Sequence, residues 1–187
     1  VKRGEKAALV LEANGEYERP DGTMGVNFDV KRVFDISQTY GKPIRERTAP
    51  PIKTALKAIT TNVPVPVKLS EGISQSVGAM YSEKDNTVYV ARGVEGNELF
   101  FALSRELARA HSGANTFVCD CAANIACLRY GVPAKYCDRI PEEIAALESR
   151  EKRSALNIVR DAACEIAERV DRNLFAERQQ SRNDPVR

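Results

Sequence analysis

The sequence predicts an α+β protein, in which a small antiparallel β unit is followed by a helix, a short β-sheet and three further helices. Three patterns lead to this prediction. Apolar and polar residues alternate over residues 26–34, as in a strand with one buried face. Two short runs of strand-forming residues flank a turn at residues 84–86. Apolar residues then recur at helical spacing over residues 98–111 and again over residues 156–174.

The N-terminal β unit is predicted to occupy residues 1–40. Its two strands, residues 6–13 and 26–34, are expected to pair as a hairpin, with Asn14-Gly15 beginning a long polar loop between them. The second strand should be half-buried, because its apolar residues take every second position. The segment DISQ at residues 35–38 is expected to close the unit.

A polar linker is expected at residues 41–50, followed by a second domain at residues 51–178 and a polar tail at residues 179–187. Pro51 should open a short helix at its first position, where its missing N–H has no cost. The segment VPVPVKL at residues 63–69 contains two prolines, so it is expected at the edge of a sheet.

The remaining helices carry recognisable end signals. Thr116 is expected to cap the helix that follows residues 98–111, and Gly131 to end it. A third helical region should begin at Pro141, with acidic residues in its first turn.

Composition excludes some classes of protein. The 187 residues carry a net charge of +2, which by itself implies no polyanionic partner. Aromatic residues are 6% of the chain and Trp is absent, so there is little material for a base-stacking platform. No apolar run approaches the roughly 18 residues of a membrane span, and the first residues lack a signal peptide. Five Cys in a chain of this length favour a cytoplasmic protein with reduced thiols. The start at Val1 suggests that the sequence is part of a longer chain.

The most informative stretch is ELFFALSRELARAH at residues 98–111. Glu106 falls on the apolar stripe of this helix, where an ionised carboxylate is costly unless it is paired. Arg105 and Arg109 are one turn apart and share a face beside it. The spacing is that of H-E-x-x-H, in which two His hold zinc and the Glu is a general base, but Arg takes both His positions. Two interpretations stay open: a metallopeptidase helix without its ligands, or a core-facing helix whose Glu pairs with Arg.

Two further sets of residues are candidates for binding. The first set is His111 with Cys119, Cys121 and Cys127, whose side chains are of the types that bind zinc. Because the spacing C-x-C-x5-C fits no common zinc module, we expect these cysteines to be buried thiols and the protein to bind no cofactor. A bound zinc ion is the alternative. The cations Lys2, Arg3, Lys31 and Arg32 form either a nucleic-acid contact or a solvated face.

Two stretches resemble one family. VKRVFDISQT at residues 30–39 resembles the end of the N-terminal, single-stranded-DNA-binding domain of ArdC-type antirestriction proteins, and of the LtrC-like proteins of conjugative elements. The segments MYSEKDNTVYV and ELFFALSRELARAH resemble the zincin-like metallopeptidase domain of the same proteins, and NIACLRYGVPAKY and IVRDAACEIAERV extend the likeness to the C-terminal helices. The resemblance implies a partial N-terminal unit followed by a zincin-like domain.

The resemblance also implies roles for individual residues. The two zinc His of the family fall on Arg105 and Arg109, the catalytic Glu falls on Glu106, and the third, acidic ligand falls on Asp120. His111, the one His of the chain, is a further metal-ligand candidate, although it points about 200° away from the ligand face.

Three functions follow as expectations. The first is an accessory protein of a mobile genetic element with a degenerate, metal-free zincin-like domain that binds single-stranded DNA or a protein. The second is an active zinc metallopeptidase that uses an unorthodox ligand set such as His111, Asp120 and a Cys. The third is a structural module of a larger protein. No membrane partner is expected.

Overall fold

The computed structural model describes residues 1–41, 48–135 and 140–183. The chain folds into two compact units, Val1–Arg47 and Thr48–Arg187. Most of the predicted linker, residues 42–47, lies outside the described residues. The α+β prediction is confirmed, because the first unit is a β-hairpin and the second combines a three-stranded sheet with helices.

The first unit pairs β1 (Ala8–Glu18) antiparallel with β2 (Met24–Val33). The predicted long loop is wrong, because Asn14-Gly15 lies inside β1, where the register shifts between Ala13 and Glu16. Gly15 has a φ of +85°, a conformation that favours glycine. A β-bulge therefore absorbs the residues that resemble a turn in the sequence, and the strands continue past it.

The predicted half-burial of the second strand is also wrong. Every residue of β2 is exposed except Gly25, which is buried under the Tyr17 ring, and its neighbour Val26. The prediction that DISQ closes the unit holds, because Ile36–Gln38 forms a 3-10 helix with a capping box from Asp35. Gln38 Nε2 then donates to Lys6 O at 3.0 Å, which ties this helix to the residues before β1.

The second unit begins with α1 (Ile52–Thr60), for which Pro51 is the N-cap and not the first helical residue. Its sheet contains β3 (Val67–Ser70), β4 (Ala79–Ser82) and β5 (Thr87–Ala91) in the order β3-β5-β4. The VPVPVKL segment thus contributes an edge strand, as predicted, and β3 runs parallel to β5 while β4 runs antiparallel to it. The second edge of the sheet is β4.

Four helices follow the sheet within the described ranges: α2 (Gly96–Ser112), α3 (Thr116–Arg129), α4 (Glu142–Ala145) and α5 (Ser149–Asn183). The predicted third helical region is thus split into the single turn of α4 and the long α5, which includes the first residues of the predicted tail. Asn115, and not Thr116, caps α3, because its side chain accepts from the Val118 N–H at 3.0 Å. None of the helices in these ranges combines the length and apolarity needed to cross a membrane.

The core of the second unit lies where α2 packs on α1, α3, α5 and the sheet. Its largest fully buried apolar side chains come from these elements: Ile59, Val88, Phe100, Leu103, Leu107, Ile166 and Val170. Helix α2 is central to this core, so a polar group on its inner face must find its partners within the protein.

Candidate functional site

Helix α2 positions the predicted site by turning one polar residue toward the core. The helix ends at Gly113, whose φ of +62° is left-handed and whose N–H donates to the Arg109 carbonyl at 2.8 Å. Apolar residues hold its inner face against the core, and Glu106 lies on that face with 2% exposure. The sequence interpretation of a carboxylate on the buried stripe is therefore confirmed.

Both oxygens of the Glu106 carboxylate accept hydrogen bonds from the protein. Oε1 accepts a hydrogen bond from Arg105 Nε at 2.7 Å, and Oε2 accepts one from the backbone N–H of Tyr81 at 2.9 Å. The Arg109 guanidinium adds a longer ion pair, with its Nε 3.8 Å from Oε2. The ion pair and the backbone hydrogen bond offset the free-energy cost of removing the Glu106 carboxylate from water, so it can be buried in its charged form.

The Arg105 guanidinium extends the contact to the edge of the sheet. Its Nη2 donates to the carbonyls of Val77 and Ala79, each at 3.2 Å. Because the Gly78 carbonyl accepts from Ala91 on β5, the groups of Ala79 and Tyr81 point away from β5, toward the open side of β4. Arg105 and Glu106 therefore satisfy the edge groups that an added strand would use.

A glycine allows α2 and β4 to come this close. Gly78 has a φ of +76°, and a Cβ at this position would lie 2.8 Å from the Cβ of Ala102 on α2. Only glycine combines this backbone conformation with the space available, so Gly78 determines how near the edge strand lies to Arg105 and Glu106.

Asp120 of α3 faces the same cluster. It interacts electrostatically with Arg105, Arg109 and Glu106. Burial raises the pKa of its carboxyl, and the two arginines oppose that shift. One carboxylate oxygen, Oδ1, is buried and accepts no hydrogen bond from the described residues. The three positions of the broken motif, Arg105, Glu106 and Arg109, thus lie close to Asp120, the position that the resemblance implies for the third ligand; we call these four residues the Arg–Glu cluster.

The other candidate ligands do not join this cluster as a metal site. His111 is exposed in the last turn of α2, whereas Cys119 and Cys127 are buried. Burial raises the pKa of the Cys119 thiol, and it raises that of Cys127 to about 12, so both thiols are protonated at neutral pH. Within residues 1–41, 48–135 and 140–183, no group of three or more His, Cys, Asp or Glu side chains could hold a metal ion.

The four cations of the first unit do not form one patch. Lys31 and Arg32 are consecutive residues of β2, so their side chains lie on opposite faces of the hairpin. Lys31 forms an ion pair with Glu12 across the strands, and Lys2 Nζ donates to the Ser37 carbonyl at 2.6 Å. Arg3 is exposed near the start of the unit.

Sequence reasoning missed three participants at the Arg–Glu cluster. The Tyr81 donor is a backbone N–H, which carries no signal in the side-chain pattern. Thr116, expected to be a cap, accepts a hydrogen bond from Arg109 Nη2 at 3.0 Å. Lys135 pairs with Glu98 and interacts electrostatically with Asp120. The last contact joins positions 15 residues apart, beyond the reach of helical periodicity.

The second unit contains two cavities, and a residue of the Arg–Glu cluster lines the smaller one. One, of about 30 Å³, has Gly78, Glu98, Phe101, Arg105 and Lys135 in its wall and has room for one or two water molecules. The larger, of about 440 Å³, lies between α3, α4 and α5, and its lining is apolar apart from Lys152. No member of the Arg–Glu cluster lines the larger cavity.

Comparison with known proteins finds similar solved structures. No protein-family model matches the chain, and no curated protein matches it. The metal-free crystal structure of the antirestriction protein ArdC from the R388 plasmid is 15% identical, with a TM-score of 0.45, over 94% of this chain and 73% of that chain. Its Mn(II)-bound structure is 16% identical, with a TM-score of 0.47, over 93% of this chain and 74% of that chain. Both are structures of the family that the sequence stretches resemble.

Proposed function

We propose that this chain is an accessory protein of a mobile genetic element, and that its second unit is a zincin-like fold used for binding and not for metal-dependent peptide hydrolysis. The resemblance of VFDISQT and of the RELAR helix supports the family role. The observation that supports the loss of catalysis is that Glu106 is 2% exposed and is bonded to Arg105, one of the two arginines at the His positions, and to the Tyr81 N–H.

The donor set does not fit a catalytic zinc. Such a site needs three protein ligands and an open position for water. Of the three ligand positions, only Asp120 carries a group that binds metals, and the guanidinium groups of Arg105 and Arg109 have no lone pair to offer. They also repel a cation, since unit charges 4 Å apart interact by roughly 4 kcal/mol at an effective dielectric constant of about 20.

Peptide binding at the sheet edge is disfavoured as well. An extended peptide that joins a sheet needs free N–H and C=O groups on the edge strand. At β4 the Ala79 carbonyl and the Tyr81 N–H are already bonded to Arg105 and Glu106. A peptide would have to displace a buried ion pair to reach them, which is costly.

A peptidase assay tests the loss of catalysis. The full chain would be incubated with an unfolded protein substrate, with and without added Zn(II) or Mn(II), beside Glu106→Gln, which keeps an acceptor for the Tyr81 N–H. We expect both proteins to leave the substrate intact. Metal-dependent cleavage by the wild type that Glu106→Gln abolishes would contradict the proposal and support the metallopeptidase alternative.

We further propose single-stranded DNA as the partner of the first unit, through Lys2, Arg3, Lys31 and Arg32. Because Lys31 and Arg32 lie on opposite faces, one strand of DNA is expected to contact only one of them at a time. Fluorescence anisotropy with a labelled oligonucleotide would compare Lys31→Glu with Arg32→Glu over a range of salt concentrations. Loss of one phosphate contact lowers the affinity and flattens the salt dependence, by about 0.7 in slope for a single strand. If neither variant changes affinity or slope, these residues do not bind DNA.

A further inference from the structure

The Asn14-Gly15 dipeptide lies in the bulge of β1. The register shifts between Ala13 and Glu16, so Asn14 and Gly15 together oppose the single residue Asn27 of β2. A bulge disrupts the hydrogen-bond ladder locally and leaves its extra residue unpaired. The backbone of the dipeptide is therefore held less firmly than that of the paired residues on either side.

Gly15 has no side chain to obstruct its backbone nitrogen. Its φ is +85°, a conformation that residues with a side chain rarely adopt. A Cβ at this position would meet no heavy atom within 4 Å, so the space around Gly15 is open. The carbonyl carbon of the Asn14 side chain, Cγ, is close to this nitrogen along the covalent chain, and proximity of that kind accelerates attack.

The Asn14 side chain supplies a hydrogen-bond donor where two carboxylates face each other. Glu12 lies directly opposite Asp29 in the register. Lys31 forms an ion pair with Glu12, and Asn14 Nδ2 donates to Asp29 Oδ2 at 2.6 Å. Because Asn14 and Asp29 are exposed, this hydrogen bond competes with water and opens readily. Asn14 therefore stabilises the Asp29 carboxylate, while its side chain can still turn toward its own backbone.

We propose that Asn14 is a site of spontaneous deamidation in the folded chain, and that the product weakens the hairpin. The Gly15 nitrogen attacks Cγ of Asn14, its proton passes through water to Nδ2, and Nδ2 leaves as ammonia, which closes a succinimide ring. Water then adds to the succinimide and breaks one of its two C–N bonds, which yields aspartate or isoaspartate. Water is the one co-reactant. This inference is independent of the function proposed above.

The product reverses the electrostatic effect of Asn14. A carboxylate at position 14 cannot donate to Asp29, and it adds a negative charge beside Asp29 and Glu12, where Lys31 is already paired. Like charges at neighbouring positions of paired strands are destabilising. A two-stranded hairpin is at best marginally stable, so a small loss is sufficient to open the strands beside the bulge.

Peptide mapping by mass spectrometry tests the chemistry. The full chain is incubated at neutral pH, and deamidation adds about one dalton to the peptide that contains Asn14. We expect Asn14 in the folded chain to react no more than about threefold more slowly than in the chain unfolded in guanidinium chloride, because the bulge opens readily. A larger difference would show that the strand protects Asn14, and it would overturn the proposal.

Two controls test the role of the dipeptide. Asn14→Gln keeps an amide but needs a larger ring to cyclise, so it should stay unreacted at position 14. Asn27 is the control within the same chain, because it lies opposite the bulge and is followed by Phe28, whose side chain obstructs the backbone nitrogen. Deamidation of Asn27 as fast as that of Asn14 would contradict the role of Gly15.

Hydrogen exchange of the hairpin amides tests the effect of the product. Asn14→Asp reproduces one product, and Asn14→Ser removes the same hydrogen bond without adding a charge. At neutral pH we expect the amides beside the bulge to exchange about threefold faster in Asn14→Asp than in Asn14→Ser. The difference should disappear in acid, where the carboxyl groups are neutral. Equal exchange in the two variants at neutral pH would overturn the proposed weakening of the hairpin.

Discussion

At the scale of single residues, Glu106 connects helix α2 to strand β4. Its carboxylate joins the Arg105 side chain of α2 to the Tyr81 backbone of β4, in a position where 2% of the residue is exposed. A general base must reach the water from which it takes a proton. Here the carboxylate is buried and accepts hydrogen bonds from Arg105 and from the Tyr81 N–H, so the residue stabilises the helix–sheet contact.

The first prediction follows from these hydrogen bonds of Glu106. Glu106→Ala should lower the free energy of unfolding by about 3 kcal/mol, because it leaves the Arg105 charge and the Tyr81 N–H without their acceptor. Urea denaturation measures this change. Glu98→Ala is the control: Glu98 also pairs with a cation, Lys135, but both side chains are about half exposed, so the loss should be below about 1 kcal/mol. Equal losses in the two variants would contradict the structural role.

The second prediction concerns Asp120, whose pKa is raised chiefly by burial. The folded state then holds its proton to higher pH than the unfolded state, so stability falls as pH rises through the window between the two pKa values. Asp120→Asn removes this loss. We expect the variant to be more stable than the wild type at pH 7, and the difference to vanish below the ordinary carboxyl pKa of 3.8, where both are neutral. Urea denaturation at several pH values measures it; a variant less stable at pH 7 would contradict it.

At the scale of elements, the contact between α2 and β4 closes the sheet edge. The helix supplies a cation and a carboxylate. Strand β4 supplies the Ala79 carbonyl and the Tyr81 N–H, which point away from β5, and the turn before it supplies the Val77 carbonyl. Gly78 lets the two elements approach closely enough for these bonds. Removing the arginine would expose edge groups that pair readily with other strands.

The third prediction tests that approach. Gly78→Ala should lower the free energy of unfolding by about 1–3 kcal/mol, because the new Cβ meets the Ala102 Cβ and the backbone is left-handed. Gly72→Ala is the control: its nearest contact would be Ser70 Oγ at 3.7 Å, so its change should stay within about 0.5 kcal/mol. Thermal unfolding of both variants measures the difference. If Gly78→Ala is as stable as Gly72→Ala, α2 and β4 do not lie this close.

The elements also explain what could be predicted from the sequence. Helical periodicity was sufficient for α2 and for residues 156–174 of α5, and the two prolines were sufficient to place β3 at an edge, because these signals are local. Asn14-Gly15 led to the wrong prediction of a loop, because a dipeptide that favours a turn also fits a bulge within a strand. Lys31 and Arg32 were grouped by their proximity in sequence, although strand geometry separates them. The partners of Glu106 include a backbone group 25 residues away, which no side-chain pattern encodes.

At the scale of the whole molecule, the two units obtain their stability in different ways. The second unit contains a buried core in which α2 packs on α1, α3, α5 and the sheet, and the Arg–Glu cluster is enclosed there. The first unit is a two-stranded hairpin, and a hairpin of this kind is at best marginally stable in water on its own. We therefore expect the second unit to determine most of the free energy of unfolding.

The most direct test of the proposal that the second unit has a zincin-like site without its metal is a calorimetric titration with Zn(II) of the wild type and of the double variant R105H/R109H. The variant restores both His positions of H-E-x-x-H and keeps Asp120 as the third ligand position. We expect about one zinc per chain in the variant and no saturable binding in the wild type. Zinc binding by the wild type that is lost in Asp120→Ala would contradict the metal-free site, and a folded variant that binds no zinc would contradict the zincin-like geometry.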